Sequence, residues 1–165
     1  MLRETTLQQT VQQLGDLLSL RGETVVTAES CTGGWLVKAL TDRAGSSAYV
    51  LGGLVTYSNS MKCDLLQVPS AVLAEHGAVS EPVVRQMVAG AVRASGAHYA
   101  IATSGIAGPG GGSEDKPVGT VWFAWGAPGT GIVAQRCHFE GDRDAVRRQS
   151  VVYALQGLFD YLQKL

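Results

Sequence analysis

The stretch Thr27-Ala-Glu-Ser-Cys-Thr-Gly-Gly34 constrains this chain more than any other. A β-branched approach, Val25-Val26, leads into a small polar turn, and Trp35, Leu36, Ala39 and Leu40 then recur at helical spacing. A buried strand therefore passes into a helix at Ser30-Cys31-Thr32. The first N–H groups of a helix lack intrahelical partners and carry the positive end of its dipole, and Gly33 and Gly34 have no Cβ to hold a ligand away. The turn predicts a site for an anion or polarised oxygen, built from Ser30, Thr32, Gly33 and Gly34. A purely structural reading stands beside it, in which Ser30 or Thr32 bonds its own backbone and the glycines serve close helix–sheet packing. Strand-to-helix turns are recurrent ligand sites in α/β folds.

A chain of 165 residues with 45% hydrophobic content can bury a full core, so a single domain over residues 1–165 is expected. With 13 Lys+Arg against 14 Asp+Glu there is no general basic field, and neither nucleic acid nor a membrane surface is an expected partner. Cys31, Cys63 and Cys137 are odd in number and show no CxxC spacing, which suits a reduced, cytoplasmic protein. The start, Met1-Leu-Arg-Glu-Thr-Thr, lacks the pattern of a signal peptide, and no apolar run approaches the ~20 residues that span a bilayer.

Leu7, Val11, Leu14, Leu17 and Leu18 predict an amphipathic helix to about Leu20, ended by Gly22. Strands are expected at Thr24 to Ala28, Leu54 to Tyr57, Tyr99 to Thr103, Val118 to Trp125 and Ile132 to Phe139. Gly52-Gly53 is expected to break the run from Tyr49 to Tyr57. Ser58 or Asn59 caps a short helix, Val68 to Gly77 is irregular or helical, Ser80-Glu-Pro opens a helix that stops at Gly96, and Asp142 caps a long closing helix. Ser104 to Ser113 reads as a mobile glycine-rich loop. The order of elements predicts an α/β fold, a three-layer α/β/α sandwich with a mixed sheet.

The three histidines, His76, His98 and His138, are not spaced as metal ligands or triad members, and neither a GxGxxG nor a GxxxxGK[ST] motif is present. No metal and no cofactor are expected. Ser46, Ser47, Tyr57, Ser58, Asn59 and Lys62 form a more suggestive polar cluster, because a serine becomes a nucleophile when a neutral amine or phenolate takes its proton. The alternative has Ser46 or Ser47 as a cap, Tyr57 as a strand end and Lys62 in water. A straight strand would hold Ser47 more than ~25 Å from Tyr57, so the two meet only if the chain folds back at Gly52-Gly53 or another subunit supplies one of them. Cys31, at a helix start, has a thiol that could attack a carbonyl, but no histidine is placed to assist it. Arg143 opens the closing helix with Arg147 and Arg148 one turn on. They are either neutralised by Asp142 and Asp144 or hold a phosphate.

Thr27 to Gly34, Thr56-Tyr-Ser-Asn59 with Lys62, Gly77-Ala-Val-Ser80, Ser104-Gly-Ile-Ala-Gly-Pro109, Lys116-Pro-Val-Gly-Thr-Val121 and Gly141-Asp-Arg143 together resemble the C-terminal domain of the competence/damage-inducible protein CinA. Within that family they look most like the stand-alone amidases of nicotinamide nucleotides, and the resemblance runs from about Leu7 to Leu162. It implies metal-independent hydrolysis of the carboxamide of nicotinamide mononucleotide, with Ser47 as nucleophile and Lys62 and Tyr57 as proton-transfer partners. Backbone N–H groups near Thr32 to Gly34, or near Ser104, Gly105 and Gly108, would hold the oxyanion. Arg143 would hold the 5′-phosphate, and the Gly110 to Lys116 loop would close over the substrate. Ser30, also on an elbow, could exchange roles with Ser47. The competing reading is a non-catalytic pyridine-nucleotide sensor or partner module, and in either case a homo-oligomer is expected.

Overall fold

The computed structural model describes residues 4–165; residues 1–3, on which part of the N-terminal reading rests, lie outside the described residues. Helix α1 (Glu4–Arg21) leads to β1 (Val25–Glu29), α2 (Trp35–Thr41), a 3-10 turn at Ser46–Ala48 and β2 (Val50–Val55). Three helices follow, α3 (Asn59–Leu66), α4 (Ser70–His76) and α5 (Glu81–Ser95). Strands β3 (Tyr99–Gly105), β4 (Thr120–Ala127) and β5 (Gly131–His138) precede the closing helix α6 (Arg143–Leu162). The sheet order is β2-β1-β3-β4-β5, with β2, β1 and β3 parallel and β4 and β5 antiparallel to their neighbours. This is the expected mixed sheet of an α/β fold. Among the described residues no helix is long and apolar enough to cross a membrane.

Alternation along the strands sends unlike side chains to the two faces. Val25, Ile101, Phe123 and Trp125 join α1, α2 and α6 in one core. Val26 and the alanines at 28, 100, 102 and 124 meet α3, α4 and α5 in the other. Small residues on that second face let α5 lie close to the sheet, and Gly90 of α5 is so close to the Leu66 backbone that a Cβ there has no room.

Several helix ends follow their sequence signals. Ser58 Oγ accepts from Met61 N, Asp142 Oδ1 accepts from Ala145 N, and Gly96 closes α5 in the left-handed region. Ser80 departs from its expected role: its hydroxyl turns back to donate to Gly77 O at 2.7 Å and closes a Gly77–Ser80 turn. The segment left open between Val68 and Gly77 is helix α4.

Two expectations are corrected. The helix after the elbow begins at Trp35, not Thr32, because Gly33 (φ 60°) and Gly34 (φ 98°) carry the chain through a full turn first. Strand β2 runs unbroken through Gly52-Gly53, with one irregularity between Val50 and Gly52. Gly53 stays in the strand because Thr27 and Val37 fill the space a side chain would need. Consequently the chain does not fold back, and the C-terminal ends of β1, β2 and β3 lie side by side, with Glu29 in register with both Val55 and Thr103. Sites in open α/β sheets form at this edge.

Candidate active site

The elbow is held by a carboxylate. Glu29, fully buried at the end of β1, accepts five hydrogen bonds. Its Oε1 receives Thr32 Oγ1 at 2.8 Å, Gly34 N at 3.1 Å and Leu36 N at 2.9 Å. Its Oε2 receives Thr27 Oγ1 at 2.9 Å and Val37 N at 3.0 Å. A negative charge at the start of α2 is favoured by the helix dipole, and every bond to it is charge-assisted. The predicted anion site at Thr32, Gly33 and Gly34 is therefore occupied by the protein's own side chain. Gly33 N donates to Ser30 O instead, and the Thr32 hydroxyl pairs with Thr103 Oγ1 at 2.8 Å.

Only Ser30 and Cys31 of this turn reach the adjoining cavity of about 280 Å³. The Lys62 amine lies 3.1 Å from Ser30 Oγ and donates to the backbone carbonyls of Thr56 at 2.8 Å and Tyr57 at 3.2 Å. Lys62 is 1% exposed, and burial holds its pKa below the ordinary lysine value, against smaller pulls from Cys31 and Cys63. Two N–H groups facing carbonyls leave the lone pair of a neutral Lys62 directed at the Ser30 hydroxyl. Burial pushes the neighbouring Cys31 thiol up to about 12, so it is not a thiolate nucleophile.

The structure does not bring Ser47 to this pair. Ser47 sits exposed in the 3-10 turn before β2, whereas Tyr57 and Lys62 follow the opposite end of that strand. The Tyr57 ring, 62% exposed, lines the cavity mouth, and its hydroxyl accepts from Arg143 Nη2 at 3.3 Å rather than contacting Lys62. Tyr57 thus serves Lys62 through its carbonyl, not its phenol. Arg143 Nη1 donates to Gly108 O at 2.8 Å, so Gly108 positions the arginine at the rim.

Ser104 and Gly105, at the end of β3, form another wall with Ala107, and the Gly77–Ser80 turn contributes Ala78 and Val79. Ile106 N is committed to Thr120 O, which removes one of the backbone donors expected near Ser104. The Gly110 to Lys116 loop is tied down: Lys116 Nζ donates to His76 O and Arg136 Nη2 to Asp115 O. Arg147 turns inward, donating to Cys31 O and Thr32 O, with Trp35 stacked 5.6 Å from its guanidinium. It clamps α6 to the elbow and is not free for phosphate. Arg148 pairs with Asp144. Among the described residues no three His, Cys, Asp or Glu side chains gather as a metal site.

Ala78, Val79 and Ala107 carry no reactive side chain and were not marked as candidates, yet they line the cavity together with Cys31 and Asn59, and the role of Glu29 in holding the elbow was likewise not expected. The available signal for Glu29 was an acid at the end of the mostly apolar run Val25-Val26-Thr27-Ala28, four residues ahead of Gly33.

Residues 7–162 match the family model of the CinA C-terminal domain. The chain belongs to the CinA C-terminal domain family. Within the family it is 58% identical to a nicotinamide-nucleotide amidohydrolase PncC of Escherichia coli over 157 residues, covering 94% of each chain. A protein of the same name from Pseudomonas putida is 53% identical over 146 residues, covering 88% of this chain and 91% of the relative. A crystal structure of a CinA superfamily protein from Klebsiella pneumoniae superposes with a TM-score of 0.92 at 43% identity, covering 96% of this chain and 99% of that one.

The carboxylate of Glu29 sets the stability of this CinA-family elbow. Glu29→Gln replaces an acceptor oxygen by an amide that opposes the α2 N–H groups, and it should lower unfolding free energy by about 3 kcal/mol, read as an earlier urea midpoint.

Proposed function

We propose that this protein hydrolyses the carboxamide of nicotinamide mononucleotide to nicotinate mononucleotide and ammonia, with Ser30 as nucleophile and Lys62 as its base. The observation that carries the reading is the 3.1 Å approach of a buried lysine amine, whose pKa burial holds below the ordinary lysine value, to the Ser30 hydroxyl inside a cavity. The names of the two relatives, at 58% and 53% identity, support the substrate.

Ser30 Oγ attacks the carboxamide carbon while its proton moves to the Lys62 lone pair. The tetrahedral oxyanion is held by polar groups on the cavity wall, with Ser104 as the side-chain donor in that wall. Lys62 then returns the proton to the amide nitrogen, the C–N bond breaks, and ammonia leaves a nicotinoyl ester on Ser30. Water, deprotonated by Lys62, attacks the ester, the acyl–oxygen bond breaks, and Ser30 regains its proton as the carboxylate departs. Tyr57 and Thr56 keep two amine hydrogens turned away from the serine. Ala78, Val79 and Ala107 offer apolar walls to the pyridine ring, and Arg143 at the mouth meets the 5′-phosphate. Three free cysteines suit a reducing, cytoplasmic setting.

Ammonia release from the nucleotide, in buffer with a chelator, tests the proposal. Ser30→Ala should lose about 10³-fold or more in kcat while remaining folded, and Ser47→Ala should stay within a few-fold of wild type. A wild type that binds the nucleotide without releasing ammonia would mark a sensor instead. The pH profile is a second check. The amine acts as the free base and burial disfavours the ammonium, so kcat/KM should climb through an ionisation below the ordinary lysine value of 10.5. A limb at or above that value would remove buried Lys62 as the base. Finally, Arg143→Ala should raise KM for the nucleotide roughly 10–100-fold and leave KM for the nucleoside unchanged.

A further inference from the structure

Trp35, Lys38, Ala39 and Asp42 lie at three- and four-residue steps along α2 and its C-terminal cap, and so share one face of the helix. With Leu7 and Val11 of α1 and Val152 of α6, that face walls a cavity of about 410 Å³. It has no residue in common with the cavity that holds Ser30 and Lys62. Its size falls within the ~300–1,000 Å³ typical of small-molecule sites. The floor is apolar, made by Leu7, Val11, Trp35, Ala39 and Val152, whereas the rim brings Lys38, Arg43 and Arg148 against a single acid, Asp42. Arg43 is fixed, paired with Asp16 and donating to Gln12 O at 3.2 Å. The other two cations are held loosely: Lys38 pairs with Asp42 and Arg148 with Asp144, and each of these four side chains is at least half in solvent. Exposed pairs of this kind contribute little to stability, so a ligand anion can replace either aspartate at small cost. The Arg148 guanidinium lies 5.4 Å from the centre of the half-buried Trp35 ring, which keeps that charge against the wall.

We propose that this cavity is a second ligand site, separate from the active site, and that it takes a small aromatic anion. The flat apolar body lies on Val11, Ala39 and Val152, and the anionic group meets Lys38 and Arg148. Withdrawing apolar surface from water drives the binding, and the charge-assisted contacts set the orientation. A wholly apolar ligand would leave the basic rim unanswered, and a bare inorganic anion would leave the apolar floor wet. Trp35 joins the site to the elbow: Arg147, 5.6 Å from the same ring, donates to Cys31 O and Thr32 O. An occupant packed on Trp35 therefore adjoins the clamp that holds the backbone just after Ser30. The site stands whatever reaction the other cavity performs.

The test titrates the full chain with 8-anilinonaphthalene-1-sulfonate, an aromatic anion that fluoresces when withdrawn from water, and with N-phenyl-1-naphthylamine, the same skeleton without the sulfonate. The sulfonate should bind saturably, with one equivalent per chain. Lys38→Gln with Arg148→Gln should weaken the sulfonate roughly 10-fold and leave the affinity of the neutral analogue unchanged. Val152→Trp, which fills the cavity from its half-buried wall, should abolish binding of both probes. Arg143→Ala, at the active cavity, should leave both affinities within about 2-fold of wild type. Each variant is compared at a wild-type circular dichroism spectrum. A wild type without saturable binding overturns the proposal. So does a sulfonate affinity that survives the Lys38 and Arg148 substitutions but falls in Arg143→Ala, because the anion then occupies the active cavity. Binding that none of the substitutions alters is a dye–surface contact and overturns it equally.

Discussion

The buried Glu29 carboxylate is the constraint on which the elbow depends. An ionised side chain inside the protein is tolerated only when its oxygens are fully hydrogen-bonded, and Glu29 meets that condition with three backbone N–H groups of the following turn and two threonine hydroxyls. In doing so it fixes the direction of α2 relative to β1. It also leaves Ser30, the next residue, on the outer side of the bend at the C-terminal edge of the sheet. Arg147 grips the same bend from α6 through the carbonyls of Cys31 and Thr32, so the elbow is held from both the strand and the closing helix.

A second buried charge-bearing group completes the arrangement. Lys62 reaches Ser30 because parallel pairing puts the ends of β1 and β2 side by side and α3 begins four residues after β2 ends. Its amine is stripped of water, which favours the neutral form, while two carbonyls orient it. The two halves are therefore complementary: a carboxyl group whose oxygens are fully hydrogen-bonded and hold the backbone, and an amine whose charged state is penalised by burial. Arg143 stands at the rim, held by Gly108 O, where an anionic group of a ligand can reach it.

Much of the scaffold was legible from local chemistry. Ser58 and Asp142 cap helices as their types predict, and Gly96 ends α5 in the conformation a glycine favours. Ser30, Lys62, Ser104, Gly105 and Arg143 were all marked as candidates and all line one cavity. A glycine pair does not break this strand: Gly53 serves close packing against Thr27 and Val37, and Gly52 continues the strand with open space where a side chain would stand. The glycines at 33 and 34 were read as space for a ligand, whereas their backbone is taken up by Ser30 and Glu29.

By itself the sequence determined the classes of element, the mixed α/β architecture and the set of polar residues gathered at strand ends, because periodicity, caps and β-branched runs act over a few residues. Only the tertiary structure decided which hydroxyl meets the lysine. Ser30 and Ser47 carry the same chemistry and sit in similarly polar, glycine-flanked turns, but they flank opposite ends of parallel strands. Which end faces α3 is set by sheet order and the direction of β2, and those are fixed by packing between residues far apart in the chain.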